Sequence, residues 1–359
     1  MTYMWRSLGV YKATAAEIHA SQEVITQAVG SGIVPPTIRI VVYDPPAVTI
    51  GYHQNLESSV NIDALKRKGY EVMRRATGGG AVLMKGPDGP EDAPGWEIYV
   101  PETFPNLPYD LKENYKYLSR PVVEVYRTLG VNAKFRGKND IEVNGKKIAG
   151  VGQFRSSGGI LHTGTFLFDF DVKEMLEVIK HPIEKISDKM IKSFEERVTT
   201  VKKETGKKPT IEEVMEVFKQ AVEKSFGVKV YDGELTQEEK EAIKKLLKKY
   251  RSQSWLYEVR PSIEYTKSII KKTPGGLIEV RAKITENVIE NILITGDFFV
   301  YPHTIIYDIE GSLRWIPVPV SDLEDKILKL LKEKEARIIG MNIEQFAKLL
   351  AEMINSLGM

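Results

Sequence analysis

Apolar positions in the first half of the chain switch repeatedly between a helical and a strand period. Residues 14–29 place Ile18, Val24, Ile25 and Ala28 on one stripe, with Thr14 set to cap the helix they predict. Two short β-like runs follow, 38–43 and 47–51, split by Asp44-Pro45-Pro46. A short helix at 61–68 and a strand at 70–74 then lead into consecutive glycines. The spacing Leu111, Tyr115, Leu118, Val122, Val125, Leu129 predicts a helix over 111–129, kinked at Pro121. Asn144-Gly145 between apolar runs predicts a hairpin of 141–143 with 147–154. Ser157-Gly158-Gly159 predicts a second return through 160–170.

Beyond residue 172 the pattern becomes one of charged helices. Segments 210–226 and 236–250 each open on a Thr with Glu three residues later, Thr210/Glu213 and Thr236/Glu239, which is the capping-box spacing. A new β-rich stretch begins near 263, with Gly275-Gly276 between two strands and Gly296-Asp297 ending a third, and helices close the chain at 321–335 and 342–356. Short strands joined mostly by hairpins predict an α+β fold with a largely antiparallel sheet, not a doubly wound one. The 359 residues predict two domains, 1–260 and 261–359.

Composition narrows the chemistry. Lys and Arg number 51 against 49 Asp and Glu, a net charge of +2 that gives no reason to expect nucleic-acid binding. The chain has no cysteine, which excludes disulfides, Cys-ligated metal and any thiolate nucleophile. No apolar run reaches the roughly 18 residues of a membrane span, and the N-terminus lacks a signal-peptide core, so a cytoplasmic protein is expected. Nothing in the pattern demands more than a monomer.

Three segments carry candidate chemistry. In Arg74-Arg75-Ala76-Thr77-Gly78-Gly79-Gly80-Ala81-Val82, the glycines permit close backbone approach and offer N–H groups to an anion. The two arginines point to opposite faces of a strand, so one reaches a phosphate or carboxylate while the other stays outside. No Lys-Ser/Thr follows, so this is not a P-loop. In Lys138-Asn139-Asp140-Ile141 with Gly145 to Gly150, Asp140 is a candidate to hold a metal or an attacking ammonium. Lys147 starts the return strand beside small Ala149 and Gly150, which leave room for a ligand. Taken alone, Asn-Asp also reads as a turn cap and Lys147 as a solvated strand-end charge. In His162-Thr163-Gly164-Thr165 small residues interrupt a β-run, and His162 reads as a structural hydrogen-bonding residue before a catalyst.

The order of these segments resembles the lipoate–protein ligase family. The matching residues are Ile50-Gly51 with Gln54-Asn55, Arg74-Arg75 through Val82, Gly137, Asn139-Asp140-Ile141, Gly145 through Gly150, and Gly164-Thr165. Ser254 to Tyr257, Gly275-Gly276-Leu277 and Gly296-Asp297-Phe298 resemble that family's accessory C-terminal domain. The resemblance implies a biotin/lipoyl-ligase-like catalytic domain with mostly antiparallel sheet and a small α+β C-terminal domain that assists adenylation. It implies an ATP- and Mg²⁺-dependent ligase that converts lipoate or octanoate to acyl-AMP, releases pyrophosphate and acylates a lysine. The implied acceptors are lipoyl domains of 2-oxoacid dehydrogenase E2 or the glycine-cleavage H protein. By the same resemblance Lys147, Asp140 and Asn139 are catalytic, with Asp140 also the metal candidate. Arg75, Gly80, Ala81, Val82, Leu83, Lys147 and Thr165 contact ATP. Arg74, Gly78, Gly79, Lys147 and Gly150 contact lipoate.

Elementary electrostatics agrees with that reading. Joining a carboxylate to an α-phosphorus brings two anions together, and a fixed cation such as Lys147 offsets the repulsion. One departure stands out: the family continues after Gly-Gly-Gly-Ala-Val with an aromatic and His-Asp-x-Gly-Asn, whereas here Leu83-Met84-Lys85 precedes the acidic, breaker-rich segment 86–95. The rivals are an octanoyltransferase of the same superfamily, which uses a cysteine this chain lacks, a biotin ligase, whose arginines are interspersed with its glycines, and a non-catalytic acyl-binding protein.

Overall fold

The computed structural model describes residues 4–86, 93–137, 139–180, 188–259 and 264–358. Lys138, most of the acidic segment 86–95 and the expected boundary at 260/261 lie outside the described residues. The chain divides into two compact units. The first comprises Met1–Thr49, Ser59–Ala76 and Ala81–Leu256; the second comprises Ile50–Ser58, Thr77–Gly80 and Tyr257–Met359. The architecture is mixed α+β in both.

The first unit is built on strands β1 (Met4–Ala13), β2 (Thr37–Tyr43), β3 (Ala47–Ile50), β4 (Glu71–Arg74), β5 (Val82–Met84), β6 (Gly95–Pro101), β7 (Lys134–Arg136), β8 (Asp140–Val143), β9 (Lys146–Ser156), β10 (Gly159–Thr165) and β11 (Lys229–Asp232). Its large sheet runs β11-β1-β2-β6-β10-β9-β8-β7, and a small sheet runs β4-β3-β5. Only the β1 pairings with β2 and β11 are parallel; the other five in the large sheet are antiparallel. Hairpin chemistry explains this: Asn144 and Gly145 have φ of 49° and 81°, and Ser157 and Gly158 have 50° and 73°, the paired left-handed values that tight hairpins need.

Helix Ala15–Gly30 begins at a capping box in which Thr14 and Glu17 each satisfy the other's backbone N–H. Its backbone lies so close to β10 that a Cβ at Gly159 would stand 1.9 Å from the Thr26 carbonyl oxygen. The predicted helix over 111–129 forms as two, Leu111–Leu118 and Arg120–Thr128, because Pro121 opens the second. The capping boxes at Thr210 and Thr236 both form. The second hairpin's return strand stops at Thr165 instead of running to 170.

The second unit holds β12 (Lys267–Thr273), β13 (Gly276–Thr285) and β14 (Val288–Gly296) in one antiparallel sheet, with β15 (Val300–Tyr301) and β16 (Arg337–Ile338) paired separately. Ile278, Val280, Ile292 and Ile294 of that sheet join Ile305, Ile309, Leu331, Phe346, Leu350 and Ile354 in its core. Helix Ile305–Ser312 had no clear sequence signal beside the expected helices, which appear at Leu323–Glu333 and Ile343–Gly358.

Candidate functional site

The hairpin of β8 and β9 brings Lys147, Asp140 and Gly150 together. Asp140 pairs with Gly150 and Ile141 with Ala149, but Glu142 pairs with Lys147, so Ile148 is an extra residue in β9. Consecutive Ile148 and Ala149 are both buried, which strict alternation would forbid. The bulge puts Lys147 on the face shared by Asp140 and Gly150. There the Lys147 ammonium lies 2.7 Å from Asp140 Oδ1, as an ion pair and not an aligned hydrogen bond. A Cβ on Gly150 would come within 3.1 Å of Lys147 Nζ.

Distant backbone holds this lysine. The Lys147 N–H donates to the Arg197 carbonyl at 2.8 Å, and the Thr199 N–H donates to the Lys147 carbonyl at 2.9 Å. Asn139 fixes the other end of the ladder: its carbonyl accepts from the Val151 N–H at 2.8 Å and its side-chain amide donates to the Val151 carbonyl at 3.1 Å.

Registers across the large sheet extend the face that carries Lys147. Arg39 lies opposite Glu97, Glu97 opposite Thr163, and Thr163 opposite Gly152. Two residues along, Tyr11, Val41, Gly95 and Thr165 form the neighbouring row, and Gly150 with Asp140 continue it. The middle of this face is therefore floored by Gly95, Gly150, Gly152, Thr163 and Thr165. Met84 of β5 lies over it, its methyl 3.3 Å from where a Gly95 Cβ would be. From β9 to β2 the lane spans three strand spacings, about 14 Å. Gly164, on the alternate position, admits protein and not ligand: a Cβ there would stand 2.2 Å from the Gly150 carbonyl oxygen and 2.6 Å from the Trp96 ring.

The two arginines part company, but neither side chain is left outside. Arg74 is fully buried, and its guanidinium donates to the Trp255 and Leu256 carbonyl oxygens at 3.1 and 2.8 Å, while the Trp255 indole donates back to the Arg74 carbonyl at 2.9 Å. This ties β4 to the short helix Gln253–Leu256. Arg75 donates to the Thr49 carbonyl oxygen at 2.8 Å and the Thr49 hydroxyl at 3.2 Å. Burial draws its pKa down to about 10, partly opposed by the nearby Tyr43 hydroxyl, so it stays cationic at neutral pH. Val82 and Leu83 pair with Thr49 and Val48, which sets Ala81–Leu83 beside the same strand.

Gly78, Gly79 and Gly80 group with the second unit. Within it a Cβ on Gly78 would stand 2.7 Å from the Phe298 carbonyl oxygen, and one on Gly51 would stand 1.9 Å from that of Gly79. Gly78 and Gly51 thus serve close backbone packing, and Gly79 adopts a φ of 91°. His162 is structural: Ser119 Oγ lies 2.9 Å from its Nε2 and Gln153 Nε2 lies 3.0 Å from its Nδ1. Burial, with a smaller contribution from Arg155, depresses its pKa to about 3, so it is neutral.

Sequence reasoning missed a buried polar network at the β2 end of the lane. Arg39 and Glu97 are both fully buried and ion-paired; Tyr99 donates to the same carboxylate, and Gln22 donates to its other oxygen at 2.7 Å. Arg39 also donates to Ser21 Oγ at 2.8 Å. The available signal was a charged residue at corresponding positions of two strands that are otherwise apolar, Thr37–Tyr43 and Gly95–Pro101.

Comparison with known proteins follows the same division. Residues 14–223 match the lipoyl protein ligase A/B catalytic domain, and residues 262–350 match the bacterial lipoate protein ligase C-terminus. An octanoyltransferase LipM of Kyrpidia tusciae is 31% identical over 275 residues, 70% of this chain and 98% of that protein. A bi-partite lipoate protein ligase of Thermoplasma acidophilum, solved in a study with its E2 lipoyl domain, superposes with a TM-score of 0.63 at 24% identity, covering 73% of this chain and 99% of that one. A lipoate-protein ligase A bound with ATP gives a TM-score of 0.60 at 23% identity over 72% of this chain and 99% of its own. The chain belongs to the lipoyl protein ligase A/B family.

Proposed function

We propose that this protein is an ATP-dependent lipoate–protein ligase, which activates lipoate or octanoate as the acyl-adenylate and passes the acyl group to a lysine of a lipoyl-acceptor domain. The observation that carries the reading is the Lys147–Asp140 ion pair standing over Gly150 at one end of a floor of small residues. An extended medium-length acyl chain is assigned to that lane, with its carboxylate beside the Lys147 ammonium. There the cation offsets the repulsion between carboxylate and α-phosphate and stabilises the charge that develops at phosphorus. Arg75, cationic and largely desolvated, contributes a second positive charge. The carboxylate oxygen attacks the α-phosphorus and pyrophosphate leaves; the acceptor amine then attacks the acyl carbonyl and AMP leaves. Asp140 orients that amine once Lys147 has turned to the carbonyl. Ala81–Leu83 and Thr165 are assigned to the nucleotide, and Arg74 and Gly150 to the acyl site, Arg74 indirectly through β4.

Mg²⁺ fits this donor set. Among the described residues no group of three or more His, Asp or Glu side chains gathers to hold an ion. A Mg²⁺ that relies on one carboxylate and nucleotide phosphates needs none, and Asp140 is the carboxylate placed to serve. When bound, the ion supplies neutralising charge to the phosphates.

One observation favours a second reading, octanoyl transfer, because the relative cited is named for it. Transfer through an acyl-enzyme needs a nucleophile, and the thiol that resembling transferases use is absent from this sequence. ATP–pyrophosphate exchange on purified protein separates the two. Lipoate-dependent exchange is expected; octanoyl transfer from carrier protein without exchange would replace the ligase reading.

A further inference from the structure

The buried network at the β2 end of the lane leaves two polar atoms unmatched. Glu97 can only accept, so Gln22 must turn its amide nitrogen toward it, at 2.7 Å. The Gln22 oxygen then faces His19 Nδ1, also at 2.7 Å, so Nδ1 carries the proton and Nε2 is a bare acceptor. Among the described residues, no atom donates to His19 Nε2 and none accepts from Arg39 Nη1. His19 is 2% exposed and Arg39 0%. Burial holds the His19 pKa near 3, and Arg75 and Arg39 act in the same direction.

Both side chains belong to the lane's face. Arg39 shares a row with Glu97 and Thr163, and its guanidinium lies over the Tyr11 ring of the next row, 4.9 Å from the centroid. His19 reaches the face from helix Ala15–Gly30, its ring 6.0 Å from that of Tyr43. Buried donors and acceptors left unmatched are costly, so a site built this way favours an occupant that matches them.

We propose that His19 Nε2 and Arg39 Nη1 form a polar end to the acyl site that selects a sulfur-bearing tail over a methyl-ended one. This rests on the ligase reading, which places the carboxylate at Lys147 and the tail some three strands away. A thiol of reduced lipoate accepts from Arg39 and donates to His19. The ring disulfide of oxidised lipoate accepts only, and the methyl of octanoate does neither.

Calorimetric titration of the full-length protein with the three free acids, without ATP, tests this. The expected order of affinity is reduced lipoate, then lipoate, then octanoate, with about a fivefold step for each hydrogen bond gained. His19→Leu should erase the step between the reduced and oxidised acids, and His19→Gln, which keeps an acceptor, should restore part of it. Equal binding of lipoate and octanoate by the wild type would overturn the proposal, leaving the pair to hold a retained water. Ratios unchanged in His19→Leu would overturn it too. If no acid binds and no exchange occurs, the ligase reading itself falls; exchange with unaltered ratios condemns the polar end alone.

Discussion

Lys147 and Gly150 lie three residues apart in one strand, yet share a face because Ile148 is an extra residue in the ladder. The space a Cβ on Gly150 would fill is occupied by the lysine's own terminus, with Nζ at 3.1 Å and Cε at 3.2 Å. Gly150→Ala should therefore push the ammonium away from Asp140 at little cost in stability, since the displaced atoms end a flexible side chain. Exchange activity should drop about tenfold, equivalent to roughly 1.4 kcal/mol in the transition state. Thermal unfolding should stay within 2 °C of wild type, in line with a change of ~0.5 kcal/mol or less. Full activity in this variant would show that the lysine's placement over Gly150 is incidental.

Lys147→Ala separates chemistry from folding at the same place. The Lys147–Asp140 pair is partly exposed, with side-chain exposures of 41% and 33%, so its removal should leave stability almost unchanged. Adenylation should fall by about 10²–10³, the usual scale for losing a charge that stabilises a transition state. Kinetics and differential scanning calorimetry on one preparation decide the matter; a parallel loss of both would make Lys147 a structural residue.

Arg74 should behave in the opposite way. Its guanidinium satisfies the Trp255 and Leu256 carbonyls from a fully buried position. Arg74→Met leaves those acceptors without that donor, so urea denaturation should show a loss of about 2–4 kcal/mol. Michaelis constants measured below the unfolding transition should change little. A large rise in the lipoate KM with unchanged stability would mean that Arg74 contacts substrate directly.

Legibility in the sequence tracked how local each cause was. Thr14, Asn144 with Gly145, and Pro121 act within a few residues; the helix and the hairpin they announce form, and the kink expected at Pro121 is a break between two helices. The sheet's antiparallel character followed from the same hairpins. The bulge at Ile148 carries no glycine or proline mark and shows only as two adjacent buried residues. The Arg197–Thr199 clamp on Lys147 comes from fifty residues away, and the Arg39–Glu97 pair depends on which strands become neighbours. No local pattern encodes the clamp, and the pair shows locally only as one charge in each of two apolar strands. Strand alternation alone predicted one arginine reaching a ligand and the other outside; instead Arg74 meets the carbonyl groups of 255 and 256, and Arg75 meets Thr49.

Glu310 gives the second unit a pH dependence. Burial raises its pKa to about 7, against the Ile294 N–H, which donates to it at 2.6 Å, and the charge of Arg314. The folded form thus holds a proton that the unfolded chain releases near pH 4.5, so this contribution to stability is present at low pH. It should decline as pH rises through about 5 to 7. Glu310→Gln stays neutral and can still accept from Ile294, so its melting temperature should lack that decline. Parallel melting curves for wild type and variant across this range would refute the assignment.

The ligase reading meets its most direct test in the donor requirement for acylating a lipoyl domain. Purified protein is incubated with an unmodified lipoyl-acceptor domain and either lipoate with ATP and Mg²⁺ or octanoyl carrier protein without nucleotide, and the acceptor lysine is read by mass spectrometry. Acylation from the free acid that requires ATP and is lost in Lys147→Ala is the predicted result. Acylation from the carrier protein alone, insensitive to ATP, would contradict it and make this cysteine-free chain a transferase with a different nucleophile.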